Sequence, residues 1–129
     1  MESRIYTPED YDILLDWATQ RNVAPVPKEI LPKLCLMVWE DSDPLAFTAL
    51  YMDNSISVAL MIWTATNPQN KPKENGRALD YLIGAAKHVL SDQGYTMSLA
   101  VTGVDSLAKF MCNRGFNELE TAHLMIGAT

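Results

Sequence analysis

A short basic segment lies between an apolar run and a helical pattern, and its residue types suit an anion. Lys71 and Lys73 come first, and Gly76 and Arg77 follow as the helical pattern begins. The first N–H groups of a helix lack partners inside it, and the helix dipole adds partial positive charge there. Glycine also lets a ligand approach the backbone closely. The segment therefore predicts a binding site for a phosphate or pyrophosphate. The alternative is a solvated loop that carries lysines.

The bulk composition limits the classes of function. A chain of 129 residues, 48% of them hydrophobic, suits one domain with a real core. A formal net charge of −6 disfavours a nucleic-acid partner, because such a protein needs a broad basic surface. The acidic balance is compatible with a cationic substrate such as an amine, although solubility explains it equally well.

The two cysteines and two histidines show no metal-ligand spacing, so no metal site is predicted. Cys35 and Cys112 lie among apolar neighbours, and we expect both to be buried thiols in a reducing compartment. There is no signal peptide and no run of about 18 apolar residues. The sequence therefore predicts a cytoplasmic protein without a membrane partner.

Apolar patterns in the first half predict a strand, a helix and a three-stranded meander. Thr7 and Pro8 are typical of a helix start. The predicted elements are a strand at Ser3 to Tyr6, a helix from Pro8 to about Arg21, and strands at Leu34 to Trp39, Leu45 to Met52 and Ser55 to Thr66. Asp53-Asn54 is interpreted as a tight hairpin. The last of these strands is apolar on both faces and is predicted to be central.

The second half predicts a long helix from about Asn75 to Ser91, ended by Gly94. A strand at Thr96 to Thr102, a helix starting at Asp105, and a last strand or two within Phe116 to Ile126 complete the order. This order predicts a single-domain α/β sandwich over residues 1–129, in which helices flank a mixed central sheet.

Two motifs in this order resemble those of a known family. Residues 73–78 read Lys-Glu-Asn-Gly-Arg-Ala, and residues 113–116 read Asn-Arg-Gly-Phe. Between a strand and a helix, the first resembles the Arg/Gln-x-x-Gly-x-Gly/Ala signature of the GNAT superfamily of acyl-CoA-dependent N-acyltransferases. Gly76 and Ala78 match it, and Lys73 is a basic substitute. The second motif matches the Gly-Phe with which the family tends to end its last helix.

The resemblance implies that the protein transfers an acetyl group from acetyl-CoA to a primary amine by direct attack. The amine belongs to a small molecule or a peptide. Lys73, Asn75, Gly76, Arg77 and Ala78 would hold the pyrophosphate, and the main chain of Met61, Ile62, Trp63, Thr64 and Ala65 would pair with the pantetheine arm. Trp17 and residues 23–27 would line the acceptor pocket.

Two questions about catalysis stay open at this point. The general base would be an acid at the end of a central strand: Glu40 first, with Asp53 and Asp105 as alternatives. Many members of the family have a tyrosine where this chain has Met111, which cannot protonate a leaving thiolate. The alternative function is therefore a catalytically inactive GNAT-fold binding or assembly module. A homodimer would cover the edges of a short open sheet.

Overall fold

A computed structural model describes residues 1–128; residue 129, the last of the predicted domain, lies outside them. The elements are β1 (Glu2–Ile5), α1 (Tyr11–Arg21), β2 (Cys35–Glu40), β3 (Asp43–Met52), β4 (Val58–Thr66), α2 (Pro72–Asp92), β5 (Met97–Ala100) and α3 (Asp105–Cys112). A 3-10 turn, Pro8–Asp10, precedes α1, and a second, Lys28–Ile30, lies between α1 and β2.

The five strands form one sheet in the order β1-β2-β3-β4-β5. The first three pairings are antiparallel, whereas β4 and β5 are parallel. A parallel pair needs a crossover connection, and α2 provides it. The predicted α/β sandwich with a mixed sheet and a three-stranded meander is therefore confirmed.

Helices cover both faces of the sheet, and each layer has its own core. On one face α2 and α3 pack against β2, β3 and β4, and the buried side chains there include Leu50, Met61 and Leu82. On the other face α1 packs Leu14 and Trp17 against a smaller group of buried side chains, Cys35, Met37, Phe47 and Ala49.

The strand β4, predicted to be central, does lie between two neighbours, but β3 is the middle strand of the sheet and the more buried of the two. Six consecutive residues of β3, from Leu45 to Leu50, are buried, whereas the last four residues of β4 are only partly covered. The reason is that β2 and β4 together pair with β3 along its whole length, while β5 pairs with only the first part of β4.

The predicted tight hairpin at Asp53-Asn54 is wrong, because five residues separate β3 from β4. The Asp53 carboxylate organises this loop by accepting hydrogen bonds from the N–H groups of Ser55 and Ile56 and from the Ser55 hydroxyl. Such an aspartate-centred turn satisfies the backbone locally and allows a longer connection.

The long helix begins about one turn earlier than predicted, at Pro72, and its C-terminal signal is confirmed. Pro72 occupies the first helical position, where a missing N–H costs nothing. Gly94 has a φ of 87°, a conformation that glycine adopts without strain, and its N–H donates to the Ser91 carbonyl.

The strands predicted between Phe116 and Ile126 are not formed, because residues 116–128 have no regular secondary structure. Leu119, Met125 and Ile126 each leave more than three quarters of their surface exposed. Apolar residues in a segment show only that it can pack against a sheet, and pairing depends on a partner strand elsewhere. Within residues 1–128, none of the helices combines the length and the apolar character needed to span a bilayer.

Candidate functional site

The parallel strands β4 and β5 separate halfway along β4. Their pairing runs from Val58 and Met97 to Met61 and Ala100, and the Val101 N–H then donates to the Met61 carbonyl at 3.0 Å. Beyond this point β4 continues to Thr66, while the other chain turns away toward α3. One edge of β4, residues 62–66, therefore has no β partner in the part of the chain that the structure describes.

A β-bulge lies in this open part of β4. Ala49 pairs with Ile62 and Phe47 pairs with Ala65, so two residues of β4, Trp63 and Thr64, lie opposite one residue of β3. Trp63 has a φ of 61°, which is strained for a bulky side chain. Bulges redirect side chains and occur often beside functional sites.

Two hydrogen bonds hold the bulge in place. The Thr48 and Thr64 hydroxyls lie 2.9 Å apart, and the Trp63 Nε1–H donates to the Tyr51 hydroxyl at 3.1 Å. The Trp63 ring is thereby fixed on the α1 face of the sheet, where it packs against the α1-side core.

An open pocket with a volume of about 200 Å³ lies against this bulge on the α1 face. Its walls come from α1, the loop after α1, β3 and β4. The lining residues are Leu14, Trp17, Ala18, Arg21, Val23, Ala24, Pro25, Val26, Phe47, Trp63, Thr64 and Ala65. Trp17 and residues 23–26 of the segment 23–27 do line a pocket, as the resemblance implied; its use for an acceptor stays a prediction.

The loop that forms one wall is tied to the body of the protein by two tyrosines. Tyr11 of α1 donates its hydroxyl to the Val26 carbonyl at 2.6 Å, and Tyr51 of β3 donates to the Ile30 carbonyl at 2.5 Å. Burial raises the pKa of Tyr51, and the hydrogen bond from Trp63 lowers this pKa by a smaller amount. The two hydrogen bonds therefore hold the loop against α1 and β3.

Arg21 closes one end of the pocket. Its guanidinium donates to the Thr66 carbonyl at 2.5 Å and to the Thr66 hydroxyl at 3.1 Å. Partial burial lowers the pKa of Arg21, but an arginine stays charged throughout the physiological range. The guanidinium thus ties the end of α1 to the end of β4.

The basic segment meets the end of β4 at the N-terminus of α2. Because the helix begins at Pro72, the Asn75 N–H already donates to the Lys71 carbonyl at 3.0 Å. The N–H groups from Asn75 to Ala78 belong to the regular hydrogen bonds of the helix. The N–H groups of Lys73 and Glu74 come before the first such bond, so helix geometry leaves them without a partner inside the helix. Lys73 and Arg77 are exposed beside them. Two amides among lysine and arginine side chains form a donor set that fits a diphosphate.

Glu40 lies at the end of β2 on the α2 face. Its Oε1 is 3.9 Å from Nη2 of Arg77, and both side chains are more than a third exposed. The pocket lies on the opposite face, and Glu40 does not line it. The structure thus brings Glu40 to the basic segment rather than to the pocket.

Gly76 and Met111 lie where α2 and α3 pack together. A Cβ at Gly76 would meet only the Phe110 ring, at 4.0 Å, which is an ordinary contact. Met111, at the position of the family's tyrosine, is buried and only 4% exposed. The structure therefore places an apolar side chain there, out of reach of solvent.

The structure brings some of the predicted residues together and separates others. Trp63, Thr64 and Ala65 lie at the open edge of β4 and also line the pocket, Ile62 begins that edge, and Met61 is already paired with β5. Lys73, Asn75, Gly76, Arg77 and Ala78 all lie in the first two turns of α2, where Ala78 is buried. Sequence reasoning missed the bulge, Arg21 and the anchoring role of Tyr11, because each depends on contacts between segments that are distant along the chain.

The thiols and histidines lie outside this region. Cys35 is buried, and burial raises the pKa of its thiol to about 12. Cys112, at the end of α3, is exposed, contrary to the prediction. His88 is exposed, and its Nε2 lies 3.4 Å from Oδ2 of Asp92.

The comparisons with known proteins point to one fold. No protein-family model and no curated protein matches the chain. Among solved structures it is similar to a probable acetyltransferase (18% identity, all of both chains, TM-score 0.73). It is also similar to the ribosomal-protein-S18-alanine N-acetyltransferase of Escherichia coli (16% identity, 92% of this chain and 79% of that one, TM-score 0.73). A third is an aminoglycoside acetyltransferase from an uncultured soil metagenomic sample (13%, 99% and 98%, TM-score 0.71).

At these identities the likeness concerns the path of the chain and not the residues of a site. The similar structures span nearly the whole of this chain, including its mixed sheet and the crossover that connects β4 with β5. The chain therefore has the GNAT fold.

Proposed function

We propose that the protein transfers an acetyl group from acetyl-CoA to a primary amine. The observation that carries this proposal is the separation of β4 from β5, which leaves the main chain of residues 62–66 open between a basic helix start and a pocket. An extended, amide-rich arm can add to such an edge as a strand would. The fold supports the same reaction class by analogy alone.

In this proposal the basic helix start binds the phosphates. Lys73 and Arg77 supply charge, and the first-turn amides of Lys73 and Glu74 supply donors one turn before those predicted at Asn75, Gly76 and Ala78. The main chain from Ile62 to Ala65 holds the arm.

Acetyl-CoA supplies an activated thioester. The pocket orients the amine so that its nitrogen lone pair reaches the carbonyl carbon; a C–N bond forms, the C–S bond breaks, and the thiolate leaves with the electron pair. The nitrogen loses its proton to water or to a base. The thiolate takes up a proton as it leaves, and Met111 cannot donate that proton.

The first test is calorimetric titration with acetyl-CoA and CoA, with ATP as the comparison ligand. We expect micromolar binding of both CoA forms and weaker binding of ATP. The Gly76→Asp variant should lose this binding, because the added carboxylate repels phosphates beside the helix start. Gly84→Asp is the matched control, since Gly84 is also inside α2 and a Cβ there meets no atom within 4 Å. Equal affinity in the two variants would contradict the proposed phosphate site.

A second candidate is a binding or assembly module that has kept the fold without catalysis. The observations that favour it are the buried Met111 and the engagement of the Asn75 amide inside α2. It predicts no binding of CoA and a stable complex with a protein partner or a second copy. CoA binding together with acetylation of an amine would rule it out.

A further inference from the structure

The pocket on the α1 face has a chemical character that the net charge of the protein does not suggest. An overall charge of −6 suits a cationic substrate. Yet within the described chain no carboxylate lines the pocket, and Arg21 is its one charged lining residue. The other walls are mainly aromatic and aliphatic. The pocket is therefore apolar with one positive charge, whereas the protein as a whole carries a negative net charge.

We propose that the acceptor is a monoamine and that the apolar part of this amine, its body, occupies the pocket. This body is an aryl group or a branched or linear alkyl group. This inference rests on the proposed function. The amine nitrogen would lie at the bulge end of the pocket, near the open edge of β4, and the apolar body would extend between Trp17, Phe47 and the loop at Val23 to Val26.

The size of the pocket fits such a body. Its volume is about 200 Å³, and an apolar cavity of about 150 Å³ is enough to bind benzene. A phenyl group with a short linker, or an alkyl chain of similar length, therefore fills the available space.

Charge excludes the competing acceptors. A polyamine or an aminoglycoside carries further ammonium groups, and one that enters this pocket would lose water without gaining a carboxylate partner. Arg21 adds direct repulsion, because its guanidinium is held at the pocket end by Thr66. An ammonium group held against these apolar walls has no carboxylate partner among the lining residues, so discrimination of about 100-fold or more is expected.

The pocket is also rigid enough to select by shape. The bonds from Tyr11 to Val26 and from Tyr51 to Ile30 fix its loop wall, and the bond from Trp63 to Tyr51 fixes its floor. A preformed apolar pocket binds without the cost of ordering its walls.

The test compares hexylamine with pentane-1,5-diamine, which have equal lengths and differ in a terminal methyl or ammonium group. We expect kcat/KM to favour hexylamine by about 100-fold. Ala18→Leu fills the pocket from α1 and should raise KM for hexylamine about tenfold or more, whereas Thr19→Leu, on the exposed face of the same helix, should not. Circular dichroism establishes that both variants are folded.

Binding of 2-phenylethanol, which cannot be acetylated on nitrogen, is measured separately through the fluorescence of Trp17 and Trp63. We expect binding that Ala18→Leu weakens. Equal or preferred acetylation of the diamine would overturn the apolar assignment and leave the proposed function standing. No acetylation of either amine, with 2-phenylethanol still bound, would overturn the proposed function and the acceptor role of the pocket together.

Discussion

At the scale of single residues, Trp63 and Glu40 show how position decides what a side chain can do. Trp63 is an ordinary strand residue by type, but the bulge gives it a φ of 61° and turns its ring into the pocket wall. Glu40 has the type of a general base, yet it lies on the α2 face next to Arg77. The same residue types elsewhere on these strands would have neither role.

Glu40 can be tested by a charge-removing substitution. We expect Glu40→Gln to leave kcat nearly unchanged and to tighten CoA binding modestly, because Arg77 would lose a competing negative partner at 3.9 Å. Steady-state kinetics and calorimetry measure the two effects. A fall in kcat of about 100-fold or more, with loss of the acidic limb of the pH profile, would instead support the sequence-based prediction that Glu40 is the base.

The two cysteines differ in reactivity because they differ in burial. The pKa of Cys35 is raised to about 12 by burial, so almost none of it is thiolate at pH 8. We expect a disulfide reagent to modify Cys112 rapidly in the folded protein and Cys35 only after unfolding. Cys112→Ser should abolish the rapid phase, and Cys35→Ser should preserve it. Rapid modification of both thiols in folded protein would contradict this placement.

At the scale of elements, the contact between α2 and α3 supports the first turns of α2, where the basic residues lie. Arg114 follows α3 and forms an ion pair with Asp80 of α2, and its guanidinium carbon lies 3.4 Å from the centre of the Phe110 ring. Phe110 in turn faces Gly76. One arginine thus holds α3 against the turn of α2 that is proposed to bind phosphate.

This ion pair predicts a pH dependence of stability. The hydrogen bond from Arg114 holds the pKa of Asp80 below its ordinary value. The stabilisation is therefore complete above the unfolded-state pKa of about 3.9 and is lost as the pH falls through the lower folded-state pKa. We expect Asp80→Asn to lower the free energy of unfolding at pH 7 and to have a shrinking effect below pH 4. Urea unfolding of both proteins across this range measures the difference.

Asp12→Asn, at an exposed aspartate of α1 that forms no ion pair within residues 1–128, is the comparison variant for that series. A constant difference between wild type and Asp80→Asn from pH 7 to pH 2 would show that the ion pair does not contribute. The side chains of Asp80 and Arg114 are both partly exposed, so their ion pair contributes little to the free energy of unfolding, and this contribution decreases as salt is added.

At the scale of the whole molecule, β5 is an edge strand of the sheet and exposes apolar side chains. On β5, Met97 and Leu99 are 65% and 45% exposed, and no strand from residues 116–128 pairs with it. An exposed edge strand with apolar side chains favours pairing with another chain. A homodimer through β5 is therefore proposed.

The dimer has a direct test by sedimentation over a range of protein concentrations. We expect Leu99→Lys to weaken self-association about tenfold, because a lysine at an edge strand opposes pairing. Ile5→Lys, an exposed apolar position on the opposite edge strand β1, is the matched control. A wild-type protein that is monomeric at every concentration would contradict the proposal.

The sequence by itself determined the type and order of nearly all elements, since periodicity and helix-end residues are local properties. It also located the basic segment around Lys73 at the start of α2, because that segment is a local pattern of residue types. The loop after α1 and Trp17 were connected with a pocket only through the resemblance to the GNAT family.

Only the tertiary structure decided where β5 leaves β4, that Trp63 bulges, that Arg21 reaches Thr66, and that Cys112 is exposed while Cys35 is buried. Each of these depends on strand register or on packing between residues that are distant along the chain, and no local pattern encodes such contacts. The apolar character of the pocket follows from them, because four separate segments must meet before its walls exist.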